Sequence, residues 1–295
     1  MEGGPMHYKE YKSILSPGNG MNIYRGCSHG CIYCDSRSSC YNMDHDFCDI
    51  EIKKNAHQML EDRLKRKRKK CMISTGAMSD PYIELEEELL YTRKCLEIIE
   101  KYGFGLTILT KSKRILRDLD LLKSINEKSK CVVQMTLTTA DENLCGILEP
   151  NVSTTKERFE TLKIMHENGI PTVVWLSPFL PFINDDEENF RKLLNYCIEA
   201  KVYGIMCFGI GLTLRDGNRE YFYQKLDENF PCMKQKYIKT FGNSYECNSH
   251  NHSKLMRILY SECKKHNILV GVDNIFSYLK LYGDKNLNEQ ISLLW

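Results

Sequence analysis

The chain has 295 residues, 42% of them hydrophobic and 27% charged, the composition of a globular protein with ample material for a core. Forty-one Lys and Arg stand against 39 Asp and Glu, so the formal charge of +2 gives no global argument for nucleic-acid or membrane binding. No apolar run approaches the roughly 18 residues of a spanning helix, and the opening MEGGPMHYKEYKS lacks the apolar stretch of a signal peptide.

Short apolar runs alternate with amphipathic helical text. The expected strands are Met21–Tyr24, Cys71–Thr75, Leu106–Thr110, Cys131–Thr138, Thr172–Ser177 and Gly204–Ile210. Between them, Leu85, Leu89, Leu96 and Ile99 make one apolar stripe closed by Gly103. Thr154 and Glu157 form a capping box ahead of Phe159, Leu162 and Met165, with Gly169 at the C′ position and Pro171 beyond. Asn184 and Glu187 repeat that pattern ahead of Phe190, Leu193, Leu194 and Cys197. Six strand–helix units imply a parallel sheet with helices outside, and their extent suits a partial (β/α)6 TIM-like barrel better than a complete eight-fold one. The expected organisation is an N-terminal segment (1–20), a barrel core (21–215) and a C-terminal helical extension (216–295). The extension has helices around Arg219–Asn229 and His252–His266.

Fourteen cysteines without an export signal suit a reducing, cytoplasmic setting, where thiols serve as core residues, metal ligands or redox groups. Three of them, Cys27, Cys31 and Cys34, form a C-x3-C-x2-C loop directly after the first strand, with Gly26 and Gly30 freeing the backbone. Such a loop can wrap one metal centre. Zinc with His29 or Cys40 as fourth ligand, a four-thiolate electron-transfer cluster recruiting Cys40, and a [4Fe–4S] cluster held by three cysteines are all open on the residues alone.

A C-x3-C-x-aromatic-C loop in an α/β chain resembles the radical S-adenosylmethionine (SAM) superfamily. Further motifs resemble its spore photoproduct lyase-like branch: Ser79-Asp80-Pro81-Tyr82, Leu109-Thr110-Lys111-Ser112, Thr136-Leu137-Thr138-Thr139, Leu148-Glu149-Pro150 and Pro178 through Asp185. The resemblance implies a [4Fe–4S] cluster on Cys27, Cys31 and Cys34, whose open iron binds SAM. It also implies a SAM site lined by Tyr33, Ser79, Asp80, Lys111 and Thr136, with Tyr33 on the adenine side. Reductive SAM cleavage to a 5′-deoxyadenosyl radical would follow, in an oxygen-sensitive, lyase-like enzyme fed by an external flavodoxin- or ferredoxin-like one-electron donor. Nucleic acid is the substrate class the resemblance favours. Ala77 departs from it, standing where the spore lyases carry a cysteine that returns hydrogen to the product radical. The competing class is a non-enzymatic electron-transfer iron–sulfur or structural zinc protein.

Two weaker features remain. The basic run Arg63 to Lys70 reads mainly as a solvated face at a helix C-terminus. Gly211 to Tyr223, with two arginines beside three aromatics, reads equally as a substrate entrance or as the seam that seats the C-terminal extension.

Overall fold

The computed structural model describes residues 5–283; the ends of the expected 1–20 and 216–295 segments lie outside them. Twelve strands are present among the described residues: β1 (Met6–Lys9), β2 (Gly20–Met21), β3 (Tyr24–Arg25), β4 (Ile50–Lys53), β5 (Met72–Thr75), β6 (Gly105–Thr110), β7 (Cys131–Leu137), β8 (Thr172–Leu176), β9 (Gly204–Met206), β10 (Gly211–Thr213), β11 (Glu246–Asn248) and β12 (Leu269–Val270). Seven of them form one all-parallel sheet in the order β12-β9-β8-β7-β6-β5-β2. This is the open TIM-like barrel expected from the strand–helix alternation, with one addition: the C-terminal segment supplies the seventh strand, β12, at the edge beside β9.

The first expected strand divides. Met21 pairs with Thr75 in the large sheet. Tyr24 and Arg25 turn away to pair antiparallel with β4, in a small sheet ordered β1-β4-β3. Neither β1 nor β4 was expected from sequence. Both are four residues long, and Glu51 and Lys53 break the apolar text of β4 although every residue of that strand is buried.

Helices α1 (Ala56–Arg66), α2 (Glu86–Leu89), α3 (Tyr91–Lys101), α4 (Leu119–Lys128), α5 (Glu142–Leu148), α6 (Thr155–Glu167) and α7 (Glu187–Glu199) follow the early strands. The leucine stripe is two helices, because Leu90 adopts φ +54° and breaks the ladder between α2 and α3. The Thr154–Glu157 capping box is formed as expected. The N-cap of α7 is Asp186, which accepts from the Asn189 amide. Asn184 instead bonds the Leu180 amide and the Thr138 carbonyl, tying the loop after β8 to the end of β7.

The C-terminal part adds α8 (Asn218–Asn229), α9 (Met233–Phe241), α10 (His252–Lys265) and α11 (Val272–Lys280). Leu212, Leu214, Phe222, Leu226 and Tyr237 share a second core with Cys31, Ile32 and Tyr33, so this extension packs against the cysteine loop. Gly211 to Tyr223 forms that seam, and its residues Leu212 and Thr213 also line the cavity beside the cysteine loop. Arg219 is consumed by the carbonyls of Leu214, Gly242, Asn243 and Ser244, and Arg215 by Asp35 and Tyr245.

Candidate active site

The loop 27–34 has no regular structure, and distant segments hold it. The Cys27 amide donates to Phe47 O (3.2 Å), the Ile32 amide to Leu148 O (3.0 Å), and the Asn151 amide to His29 O (3.1 Å). Gly26 has φ +84°, and a side chain there would run into the Phe47 carbonyl, so glycine is required where the chain enters the loop. Cys27 and Cys31 are buried and Cys34 is half-buried; none forms a disulfide.

Opposite the loop stand the C-terminal ends of β5, β6 and β7, the end of a parallel barrel where functional groups gather. Cys27, Cys31, Cys34, Tyr33, Ser79, Asp80, Lys111 and Thr136 all line one cavity of about 230 Å³, so every site residue expected from the sequence faces the same space. Two of them also hold the scaffold. Ser79 Oγ donates to Gly26 O (2.5 Å), pinning the strand end to the loop entrance. Asp80 accepts from the Tyr82 amide (2.8 Å), Thr110 Oγ1 (2.7 Å) and the Lys111 amide (2.7 Å), locking the ends of β5 and β6 together.

The electrostatics separate the three thiols, with Cys27 shifted toward the thiolate and Cys31 and Cys34 away from it. Burial is the largest influence on Cys27 and opposes its ionisation, but His29 and the Asp80 amide together more than offset it, and the thiol is pushed below its ordinary value. His29, 3.4 Å from Asp80, is pushed up despite its burial, by Cys27 and Asp80. Burial pushes Cys31 and Cys34 up, and the half-buried Lys111 works against that rise at both. Burial opposes charge on Lys111, yet Cys31 and Glu149 more than offset it and the ammonium is held charged.

Sequence reasoning missed the layer beneath. Arg158 and Glu149 are wholly buried and paired at 2.5 Å. Arg158 also donates to the Thr136 carbonyl (2.7 Å), and the Tyr33 hydroxyl donates to the other oxygen of Glu149. Glu149 belongs to the Leu148-Glu149-Pro150 motif, but Arg158 reads as an ordinary polar residue of α6; an arginine inside a helix face that ought to be apolar is the available signal.

The donor set fits an iron–sulfur cluster better than one zinc ion. Two thiolates on one zinc, at about 2.3 Å each, cannot stand more than about 4.6 Å apart. The three cysteine sulfurs do not come together within 4.8 Å, whereas a multi-iron cluster spreads its ligands more widely. Backbone amides of Asp80 and Ser36 donate to the Cys27 and Cys34 sulfurs, and His29 Nε2 is buried in the site without a hydrogen-bond partner. Cys40 is exposed and bonded to Arg215, outside the ring of three.

A second cavity, about 680 Å³, adjoins the first and shares Ala77, Met78, Leu109 and Trp175 with it. It is the barrel lumen. Met72, Ser74, Thr107, Leu109, Gln134 and Trp175, inward-facing residues of successive strands, line it, with Phe276 and Leu279 of α11 at the open edge. In closed barrels such positions fill the interior with packed side chains; here the lumen is open, and Ala77 lies in the wall between it and the first cavity.

Comparison with known proteins agrees with this geometry. The model of the Radical SAM superfamily matches residues 21–194. An uncharacterised protein of Methanocaldococcus jannaschii is 35% identical over 72% of this chain and 76% of its own. One of Mycobacterium tuberculosis is 28% identical over 75% of this chain and 66% of its own. Among solved structures, a point mutant of spore photoproduct lyase superposes with a TM-score of 0.62 at 12% identity, covering 88% of this chain and 79% of that one. Spore photoproduct lyase complexed with dinucleoside spore photoproduct gives 0.59 at 12% identity, over 88% and 78%. The chain belongs to the radical SAM superfamily and is a radical SAM enzyme. Its likeness to the spore lyases, at 12% identity, is one of fold. No helix among the described residues is long and apolar enough to cross a membrane.

Proposed function

We propose that this enzyme reductively cleaves SAM at a [4Fe–4S] cluster held by Cys27, Cys31 and Cys34, producing a 5′-deoxyadenosyl radical that takes hydrogen from a substrate reaching the site through the lumen. The observation that carries this reading is the single cavity shared by three unpaired thiols and the strand-end residues Ser79, Asp80, Lys111 and Thr136. Lys111 is the buried-site cation suited to the SAM carboxylate, as a charge-assisted donor. Asp80 acts as a positioning residue, since its oxygens are already engaged by β6. Tyr33 keeps its ring at the cavity while Glu149 holds its hydroxyl proton.

Ala77 bears on the substrate. It lies in the wall between the two cavities and has no abstractable thiol hydrogen, so the thymine-dimer chemistry is not carried over. Nucleic acid remains the substrate class suggested by the likeness to the spore lyases. Of Tyr33, Tyr82 and Tyr221, only Tyr33 lines the cavity, and its hydroxyl is held by Glu149 as that of Tyr82 is by Asp118. A flavodoxin- or ferredoxin-like donor in an oxygen-poor cytoplasm completes the proposal.

The test is anaerobic reconstitution with iron and sulfide, then addition of SAM and a strong reductant, with chromatographic detection of 5′-deoxyadenosine. Product is expected from the wild type and from Cys40→Ala, and none from Cys31→Ala. Loss of the iron chromophore in Cys40→Ala, or a loaded four-iron protein that fails to bind SAM, would overturn the assignment.

A further inference from the structure

A second cluster of metal-ligating side chains lies outside this site, on the small β1-β4-β3 sheet. His7 on β1 sits directly opposite Glu51 on β4 in the parallel register, and His45 approaches from the loop that leads into β4. One ligand atom from each of the three lies within 4.8 Å of the others. His7 Nε2 is 3.7 Å and His45 Nε2 3.6 Å from the same oxygen, Glu51 Oε2. Those separations are too long for hydrogen bonds. They are close to the spacing of about 3.3 Å between ligands on one tetrahedral ion with bonds near 2.0–2.1 Å.

The other nitrogen of each ring is already anchored. His7 Nδ1 lies 3.0 Å from Asp49 Oδ2, and His45 Nδ1 is 3.0 Å from the Asp46 carbonyl. Donation through Nδ1 leaves both Nε2 lone pairs turned toward Glu51, and outer groups of this kind, a carboxylate and a backbone carbonyl, are those that orient metal-binding imidazoles. Glu51 is fully buried. Its Oε1 accepts from Tyr11 and its Oε2 is ion-paired with Lys9, while His45 Nε2 is buried without a hydrogen bond. The Lys9 ammonium lies 3.1 Å from Oε2, but its side chain is 42% exposed and also reaches Asp44 at 3.2 Å, a partner to which it can withdraw. Arg25, 3.9 Å from Oε1, is the remaining cation on this carboxylate among the described ion pairs.

We propose that His7, His45 and Glu51 form a binding site for one divalent transition-metal ion of the zinc class, with Asp49 and the Asp46 carbonyl aiming the imidazoles. Two imidazoles and a carboxylate suit such ions better than calcium or magnesium, which take oxygen ligands. The half-exposed His7 leaves an entry path. A bound ion would clamp the N-terminal strand and the 42–49 loop onto β4. That loop carries Phe47, whose carbonyl holds the Cys27 amide, so the clamp would support the cysteine loop from outside the cofactor cavity.

The test needs neither cluster nor SAM. Metal-stripped, cluster-free protein is titrated anaerobically with cobalt(II), whose visible spectrum separates thiolate from imidazole ligation. One equivalent is expected to bind with ligand-field bands and no thiolate charge-transfer band, and Cys31→Ala should retain it. His45→Gln and Glu51→Gln should weaken it 100-fold or more, and Asp49→Asn roughly 10–100-fold. Circular dichroism confirms that each variant is folded. If the wild-type titration shows only thiolate-type cobalt, or if folded His7→Gln and His45→Gln variants bind the thiol-free equivalent unchanged, the proposal is refuted. A misfolded variant leaves the wild-type spectrum to decide alone. Because no radical chemistry enters the readout, its failure and that of the proposed SAM cleavage are separable.

Discussion

Arg158→Met tests the layer beneath the cavity. The guanidinium is wholly buried, pairs with an equally buried Glu149 at 2.5 Å and donates to the Thr136 carbonyl at 2.7 Å. Methionine fills similar space with no charge, leaving the Glu149 carboxylate supported by the Tyr33 hydroxyl and the nearby Lys111. Removing one partner of such a pair costs about 3–5 kcal/mol. At roughly 2–4 °C per kcal/mol, that amounts to a drop of about 6–20 °C in Tm. Burial pushes Glu149 up, but Arg158 and then Lys111 more than reverse it, and its carboxyl lies below the ordinary range. The depressed group contributes stability above the ordinary carboxylate range, and the contribution is lost as pH falls through the depressed value. Arg158→Met should therefore flatten the acid limb of the wild-type stability profile. Glu149→Leu/Arg158→Met, which removes both charges, should recover much of the loss. The assay is urea and thermal unfolding of the cluster-free protein from pH 4 to 8. A single variant within about 2 °C of wild type, or a double variant no more stable than the single, would falsify the view that this pair supports the cavity floor.

Gly76→Ala places a Cβ against the Leu109 carbonyl at φ +100°, so the turn carrying Ala77 to Asp80 must move. A Tm loss of several degrees and SAM binding weakened at least tenfold, read by unfolding and by equilibrium binding to the reconstituted protein, are expected. Lys111→Met keeps the bulk of the side chain and removes the cation. It should leave Tm within about 3 °C while weakening SAM binding by tenfold or more, and unchanged affinity would remove Lys111 from the SAM site.

The strands of the large sheet were legible in sequence because each buried run is bounded by an amphipathic helix, and parallel pairing then follows from topology. What escaped was short or polar. β12 is two residues long, and β1 and β4 carry His7, Glu51 and Lys53, polar side chains that erase the period expected of a strand. Site residues were legible for a different reason. The cysteine spacing is local, whereas Ser79, Asp80, Lys111 and Thr136 were implied by the resemblance, with which their places near expected strand ends agree. Arg158 and His29 gain their roles from contacts across the fold, which no local pattern records.

The same distinction explains how an unstructured loop can present three thiols to one cavity. Residues 27–34 make few bonds to one another; Phe47, Leu148 and Asn151 hold them through backbone groups, and Gly26 accepts from Ser79. The 3₁₀ turn that follows is fastened at Ser39, whose amide donates to the Asp216 carbonyl. Four segments far apart in sequence thus fix the loop, two from the core and one each from the N-terminal sheet and the C-terminal extension. Loop geometry of this kind is set by the rigid elements around it. Both appendages accordingly belong to the site's architecture: β4 and its preceding loop grip the entrance at Cys27, and the extension covers Cys31 and Tyr33 with Phe222, Leu226 and Tyr237. Truncation before residue 216 would remove that apolar cover and release Ser39, so the barrel core alone would hold the three cysteines less firmly than the whole chain does.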